Sequence, residues 1–596
     1  MDMNLWKPVG GQIMTRWARE VDPSAPLPEY PRPQLVRTDW LNLNGLWSYS
    51  ITHGESPARY EGRILVPFSI ESSLSGVGRA LLPHETLWYA RTFDVPSAWA
   101  GRRVLLHFGA VDWLAVVLLN GQSLGEHRGG YLPFSFDITS LLIEGTNELV
   151  VQVQDPTDTS SQARGKQTLK PGGILYTAVS GIWQTVWLEP VPECHIESVT
   201  ATPDVGTGTV SVLVVTTAVA HVDVTVRDGD LVVAQRAGPS GTPISLKIPK
   251  ARLWSPDDPH LYDLDAAIPG GDKVTSYFGM RSFGIVHDQQ GDQRLTLNGE
   301  VFFQHGLLDQ GYWPDGLYTA PTDGALRHDA ELARRLGFNM IRKHMKVEPL
   351  RWYYHCDRLG VIVWQDMPSG GDVRNQMWLG FLALVGVHIH DNTPRGRRHL
   401  GRENDVMRQS FLDELSQMVD HLKGETCIAC WVPFNEGWGQ FGGAATADRV
   451  RQQDPSRLVD HASGWFDQGG GDLTSVHRYI LVLRSPRTAR GRCFVLSEYG
   501  GYNLLVRDHV WRFDKVFGYR HFTSRARLLE AYRSLVEDQL RPLINRGLSA
   551  AVYTQTTDVE QETNGIVTYD REILKFDEDA FRRINESVWH HSSVHR

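Results

Sequence analysis

The sequence predicts two β-sandwich domains followed by a (β/α)8 barrel, and three observations carry that prediction. Residues 40–191 read as short alternating runs broken by turn residues, and residues 192–286 repeat that rhythm over a shorter stretch. From residue 287 to 596, strand-like and helix-like runs take turns, the pattern of a parallel sheet wrapped in helices. Residues 1–39 form an extension ahead of the first sandwich, and a length of 596 residues suits about three domains at roughly 100–200 residues each.

In the first sandwich "RVLLHF", "LAVVLLNGQSLG" and "NELVVQV" are strands, and Asn120-Gly121 inside the second is a two-residue hairpin signal. Its many aromatics, Trp47, Tyr89, Trp183 and Trp187 among them, suit a sugar platform or the packing of two sheets, and packing is the favoured reading. The second sandwich, with "GTVSVLVVTTAV" and "HVDVTVRDGDLVVAQ", has the length of a seven-strand immunoglobulin-like domain and carries no chemistry of its own.

The barrel strands are read in order as "VFFQHG", "FNMIRKH", "VIVWQD", "CIACWVPFNE", "RLVDHAS", "TSVHRY", "CFVLSE" and "LSAAVYTQ". Helical runs follow most of them, "DGALRHDAELARRLG" after the first and "SRARLLEAYRSLVEDQL" after the seventh, with little helix after the fifth and sixth. Each strand is expected to end on a polar side chain: His305, Arg342 with His344, Asp366, Asn435 with Glu436, Asp460 with His461, His477 with Tyr479, Glu498, and Gln555. Trp465, just past the fifth strand, joins these as a substrate-binding candidate. Barrel enzymes assemble their sites from strand ends at one face, so residues scattered along the chain would converge across one mouth.

Composition removes several function classes. A formal charge of −9 with no basic stripe does not suggest a nucleic-acid partner. No uninterrupted apolar run reaches about 18 residues, and the N-terminus has no basic start followed by an apolar stretch, so no membrane partner and a cytoplasmic location are expected. The five cysteines are not a disulfide framework, and Cys427-Ile-Ala-Cys430 lies in an apolar strand, where it reads as core. GxSxG, GxxxxGK[ST] and HExxH patterns are missing, which weakens acyl transfer, phosphoryl transfer and zinc proteolysis. His388-Ile-His390, within the long 369–403 loop, has a spacing that could hold a metal but lacks further ligands, so neither a metal nor a cofactor is expected.

What remains is a pair of glutamates. Glu436 and Glu498 each follow an apolar strand, the fourth and the seventh, and would face one another across the barrel axis. Two opposed carboxyls are the equipment for breaking a glycosidic bond: one protonates the leaving oxygen, the other attacks or stabilises the anomeric carbon.

Here the sequence resembles glycoside hydrolase family 2, the group of β-galactosidases, β-glucuronidases and β-mannosidases. "DWLNLNGLWSY", "WYARTFDVP", "LNGQSLGEHRGGYLPFSFDIT" and "GIWQTVWLE" are similar to its jelly-roll sugar-binding domain, and "LWSPDDPHLYDL" with "FGMRSF" to the end of its immunoglobulin-like domain. "LTLNGEVFFQHG", "LGFNMIRKH" and "YHCDRLGVIVWQD" are similar to its first three barrel strands, and "WVPFNEGWG" and "LSEYGG" to its two catalytic segments. The resemblance implies a retaining exo-glycoside hydrolase with Glu436 as acid/base and Glu498 as nucleophile. It also implies that Asn435 binds the sugar 2-hydroxyl, that Tyr479 hydrogen-bonds the nucleophile, and that Arg342 supports Glu498 electrostatically. With Trp431, Phe434 and Trp438 around it, Glu436 is expected to be the carboxyl with the raised pKa, and a nearby arginine to keep Glu498 ionised.

The sugar is read by elimination. Glucuronidases of the family place Asn-Xaa-Lys before the glycine that follows the eighth strand; here Glu562-Thr563-Asn564 precedes Gly565, and the lysine is missing. A neutral glycoside is expected; that it is a β-D-galactoside, in pyranose or furanose form, is what the resemblance implies by family frequency, with α-L-arabinoside, β-glucuronide and β-mannoside as alternatives. A non-catalytic carbohydrate-binding protein is the competing class, disfavoured because both glutamates are present. Homo-oligomerisation is left open.

Overall fold

A computed structural model describes residues 6–11, 13–372, 376–485 and 491–590. The N-terminal sandwich pairs a four-stranded with a six-stranded antiparallel sheet over a core holding Trp47, Tyr89, Phe108, Leu149 and Val151. Its hairpin turns at Asn120 and Gly121, with φ of +50° and +78°, the conformation that a two-residue turn between right-twisted strands requires. Most of the domain's aromatics are packing residues, and several face the barrel. The Tyr131 and Trp183 rings lie 6.0 and 5.3 Å from that of Tyr318, and all three belong to the barrel's own core cluster.

The second sandwich sets a three-stranded against a four-stranded antiparallel sheet, seven strands in all, around alternating valines such as Val210, Val212, Val222 and Val224. Arg281, at its end, donates from Nε to the Thr426 carbonyl at 2.9 Å and so hooks it to the underside of the barrel.

The barrel has eight parallel strands: β1 (Gln304–Asp309), β2 (Met340–Lys343), β3 (Ile362–Asp366), β4 (Ile428–Val432), β5 (Leu458–Val459), β6 (Leu473–Arg478), β7 (Cys493–Gly500) and β8 (Leu548–Thr554). They pair in the order β5-β4-β3-β2-β1-β8-β7-β6. The seam between β5 and β6 is closed by one residue rather than a ladder: Asp472 N–H donates to the Val459 carbonyl and Asp472 Oδ2 accepts from Val459 N–H, both at 2.8 Å. Among the described residues no helix separates β5 from β6 or β6 from β7. The first gap is filled by "HASGWFDQGGGD", whose glycines lose too much backbone freedom to hold a helix.

β1 corrects one expectation. The apolar Leu307 and Leu308 carry its ladder on to Asp309, so His305 sits at the bottom of the barrel and not at the mouth. There its Nε2 lies 2.9 Å from the Tyr499 hydroxyl, its ring packs on Phe338, and burial pushes its pKa down to about 3. Gln310 and Asp309 occupy the place His305 was expected to hold. All five cysteines are free, with Cys427 and Cys430 buried in and beside β4. Among the described residues no helix is long and apolar enough to cross a membrane.

Candidate active site

The chain turns sharply where β4 ends. Glu436 adopts φ +52° and is followed by Gly437 at +75° and Gly439 at +68°. A side chain in the left-handed region costs on the order of 1–2 kcal/mol, and such outliers gather at functional sites. Gly437 has no alternative, since a Cβ there would lie 2.5 Å from the Phe466 ring. The turn is pinned by Glu436 N–H donating to the Ser463 carbonyl at 2.9 Å, which ties the end of β4 to the loop after β5.

Across the mouth, Glu498 stands in β7 with only 4% of its surface exposed. Its Oε1 accepts from Arg342 Nη1 at 3.2 Å and its Oε2 from the Tyr479 hydroxyl at 2.6 Å. The guanidinium of Arg342 is held on every side: Asp366 takes Nε and Nη2 at 3.0 and 2.8 Å, Asn435 Oδ1 takes Nη2 at 2.8 Å, and the Ser497 carbonyl takes Nη1 at 3.1 Å. His344 Nδ1 lies 2.6 Å from Asp366 Oδ2, and burial keeps that imidazole neutral, well below its usual pKa.

One imidazole connects the two glutamates. His477 Nδ1 lies 2.8 Å from Glu436 Oε1, while its Nε2 lies 3.5 Å from Glu498 Oε1 and 3.2 Å from the Ser463 hydroxyl. Trp465 stands beside this ring at 6.4 Å and borders the helix Gln376–Leu384 at Gly380. Gln555, at the end of β8, accepts from Gln310 Nε2 at 2.8 Å and donates to Asn564 Oδ1 at 2.9 Å. Of the expected residues, Glu436, Glu498, Asn435, Tyr479, Arg342, His344, Asp366 and His477 therefore form one connected cluster, with Trp465 beside it and Gln555 at the end of β8; His305 lies elsewhere, and past β5 Asp460 is buried while His461 Nε2 accepts from Gln468 N–H at 3.0 Å.

The aromatic surround expected of Glu436 is built differently. Trp431 turns its indole N–H to Asp454 at 3.0 Å, and Phe434 stacks on Phe411 at 5.1 Å, both directed into the helical layer. Trp438 joins a separate apolar cluster with Met345, Leu400 and Phe466. What the Glu436 carboxylate meets is His477.

Burial by itself would raise the Glu498 carboxyl, but His477 and Arg342 outweigh it and bring it from an ordinary 4.5 down to about 2. A carboxyl depressed in the folded state stabilises the fold above its unfolded pKa and loses that contribution as pH falls through the folded value. Resistance to denaturant should therefore decline between pH about 4.5 and about 2, and less steeply in Glu498→Gln, as chemical denaturation at stepped pH would measure; equal slopes would contradict the ionised state. Burial pushes the Tyr479 hydroxyl well above its usual value, so it stays protonated and donates.

Three contributors carry no local signal in the sequence. The Tyr519 ring lies parallel to that of Tyr479 at 3.9 Å and holds it against Glu498. Ser463 contacts both the Glu436 backbone and His477. Lys166 arrives from the N-terminal sandwich, and its charge reaches Glu498. As for metals, His388 is engaged with the Asp467 carbonyl at 2.6 Å, and among the described residues no group of three His, Cys, Asp or Glu side chains could hold an ion.

Comparison with known proteins places this geometry. The description "Glycosyl hydrolases family 2, sugar binding domain" matches residues 79–192, "Glycosyl hydrolases family 2" residues 194–281, and "Glycosyl hydrolases family 2, TIM barrel domain" residues 287–485. A β-galactosidase of Thermoanaerobacter pseudethanolicus is 26% identical over 330 residues, covering 52% of this chain and 43% of that protein. A β-glucuronidase of Felis catus is 27% identical over 468 residues, covering 68% and 65%. The chain thus spans less than two thirds of the length of either relative. In fold it superposes on a Ruminococcus gnavus β-glucuronidase with a TM-score of 0.75 at 16% identity, covering 94% of this chain and 99% of that one. A β-galacturonidase of Eisenbergiella tayi gives 0.68 at 17%, covering 94% and 98%. Sandwich, immunoglobulin-like domain and barrel match in that order along the sequence, and the chain belongs to glycoside hydrolase family 2.

Proposed function

We propose that the protein is a retaining exo-acting β-glycoside hydrolase. The observation that carries this reading is the unequal setting of two carboxylates on one imidazole: Glu498 is clamped as an anion by Arg342 and Tyr479, while Glu436 meets neither. Glu498 attacks the anomeric carbon as Glu436 delivers a proton to the departing glycosidic oxygen, leaving a glycosyl ester on Glu498. Water then enters, Glu436 takes its proton, and the sugar leaves with its configuration restored. In this reading Asn435, bonded to Arg342, binds the sugar 2-hydroxyl, and Asp366 with His344 keeps Arg342 in register. The glycone is read as galacto-configured, in line with the β-galactosidase and β-galacturonidase among the proteins named above.

A screen of nitrophenyl glycosides tests the activity, and proton NMR of the first-formed sugar tests the stereochemistry. The β-anomer should appear first and mutarotate afterwards. First appearance of the α-anomer would mean inversion and would remove the nucleophile role from Glu498.

A further inference from the structure

Two loops at the mouth of the barrel expose apolar side chains. The loop after β3 carries the helix Gln376–Leu384, and one face of it is buried: Leu379 packs with Met345, Leu400, Trp438 and Phe466. Gly380 lies against Trp465, where a Cβ would come within 3.1 Å of the indole, and Trp465 stands beside His477, so the helix borders the active site. Its outer face is apolar too. Trp378 and Phe381 are stacked with their rings 5.5 Å apart, and they, Leu384 and Val385 each expose at least half of their surface. Positions 378, 381 and 385 form one helical stripe. A helix that is apolar on both faces is normally enclosed, in a core or in lipid, and here only one face has a core.

The loop after β6 has the same character. Past Tyr479 it presents Ile480, Leu481 and Val482, again at least half exposed, before Leu483 turns back into the barrel core. Both loops leave the C-terminal ends of their strands, so both belong to the mouth face.

Charge on these loops runs against that of the chain. The protein has a formal net charge of −9, yet the sole acid between Gln376 and Arg402 is Asp391, and between Arg478 and Cys493 there is none. Asp391 is buried, where it accepts from Gln440 Nε2 at 3.0 Å and from Gly443 N–H at 2.8 Å. Arg395 and Arg398 on the first loop and Arg484 on the second are exposed, and Arg398 is paired with Glu403 just past that stretch at 2.6 Å. Apolar side chains fringed by arginine, with no exposed acid among them, are the chemistry of a surface that meets anionic headgroups.

We propose that the mouth face of the barrel docks on an anionic lipid surface, with the helix Gln376–Leu384 and the run from Ile480 to Val482 entering the headgroup layer and Arg395 and Arg484 meeting lipid phosphates. The expectation of no membrane partner rests on the lack of a spanning segment, and a surface contact needs none. A second copy of the chain fits this face less well, because a symmetric contact would bring two arginine-bearing, acid-free surfaces together.

Co-sedimentation with vesicles of phosphatidylcholine, alone or mixed with phosphatidylglycerol, tests the proposal. The wild type should pellet with the mixed vesicles and less so at high salt. Arg395→Gln with Arg484→Gln should weaken that binding about 10–30-fold, at roughly fivefold per arginine. Phe381→Ser with Leu384→Ser should weaken it by about tenfold or more. Both double variants should keep the wild-type thermal midpoint, because the side chains they replace face solvent. Failure of the wild type to pellet with the mixed vesicles, or binding that both double variants retain in full, would overturn the proposal. Retention on dextran sulfate, or a dimer lost in Phe381→Ser with Leu384→Ser, in place of vesicle binding would overturn it in favour of an anionic polymer or a second copy.

Discussion

Glu498→Ala should abolish turnover of every glycoside, whereas Glu436→Ala should spare those whose leaving group departs without a proton. The difference follows from where each carboxylate acts. Without Glu498 no covalent intermediate can form, and the quality of the leaving group cannot help. Without Glu436 an activated phenolate still leaves, but an alkyl glycoside loses about 10²–10⁴-fold, the usual contribution of proton transfer. Added azide should then recover turnover in Glu436→Ala, releasing a β-glycosyl azide from the intermediate on Glu498. Rates across a leaving-group series, with and without azide, separate the roles. Survival of Glu498→Ala on activated substrates, with Glu436→Ala dead on all of them, would reverse the assignment.

Arg342→Met should cost both stability and activity. The guanidinium is fully buried and is the shared partner of Asp366, Glu498 and Asn435. Removing one side of a buried ion pair typically costs about 3–5 kcal/mol, because the stranded carboxylates stay desolvated. Asp366 and Glu498 would relieve that cost by taking protons, which would silence the nucleophile at neutral pH. Arg342→Lys should rescue little, since an ammonium cannot reproduce the two-pronged grip on Asp366. Urea titration of the barrel's unfolding transition and kcat on an activated glycoside measure the two effects. A stability loss below about 1 kcal/mol would show that the network is not the support described here.

Most of the cluster was legible because parallel barrel strands are apolar on both faces, so a polar residue at the end of a run marks the mouth. That rule found Arg342, Asp366, Asn435, Glu436, His477 and Glu498. It misplaced His305, because the apolar run of β1 resumes past it at Leu307 and Leu308 and the true end lies at Asp309. Adjacency in sequence also misled at Trp431 and Phe434. Near Glu436 in the chain, Trp431 nonetheless points outward from β4 to Asp454, and Phe434, past the end of that strand, stacks on Phe411 in the helical layer. Lys166, Tyr519 and Ser463 could not be read at all. Each reaches the site through a loop, and no periodicity links a loop in the sandwich to a strand end some 200 positions later. The lack of helix between β5 and β6 was legible for the opposite reason, since the run Gly469-Gly470-Gly471 is a local signal.

The position of His477 sets the two glutamates apart. Both ring nitrogens of His477 are taken, Nδ1 by Glu436 and Nε2 by the Ser463 hydroxyl. With its Nδ1 beside Glu436, the second glutamate draws its hydrogen bonds from Tyr479 and Arg342 instead. The asymmetry between the two carboxylates is therefore present before any sugar arrives, and departure of product returns the site to it. A fresh substrate meets two glutamates already held by different partners, one by an imidazole and the other by a guanidinium and a phenol.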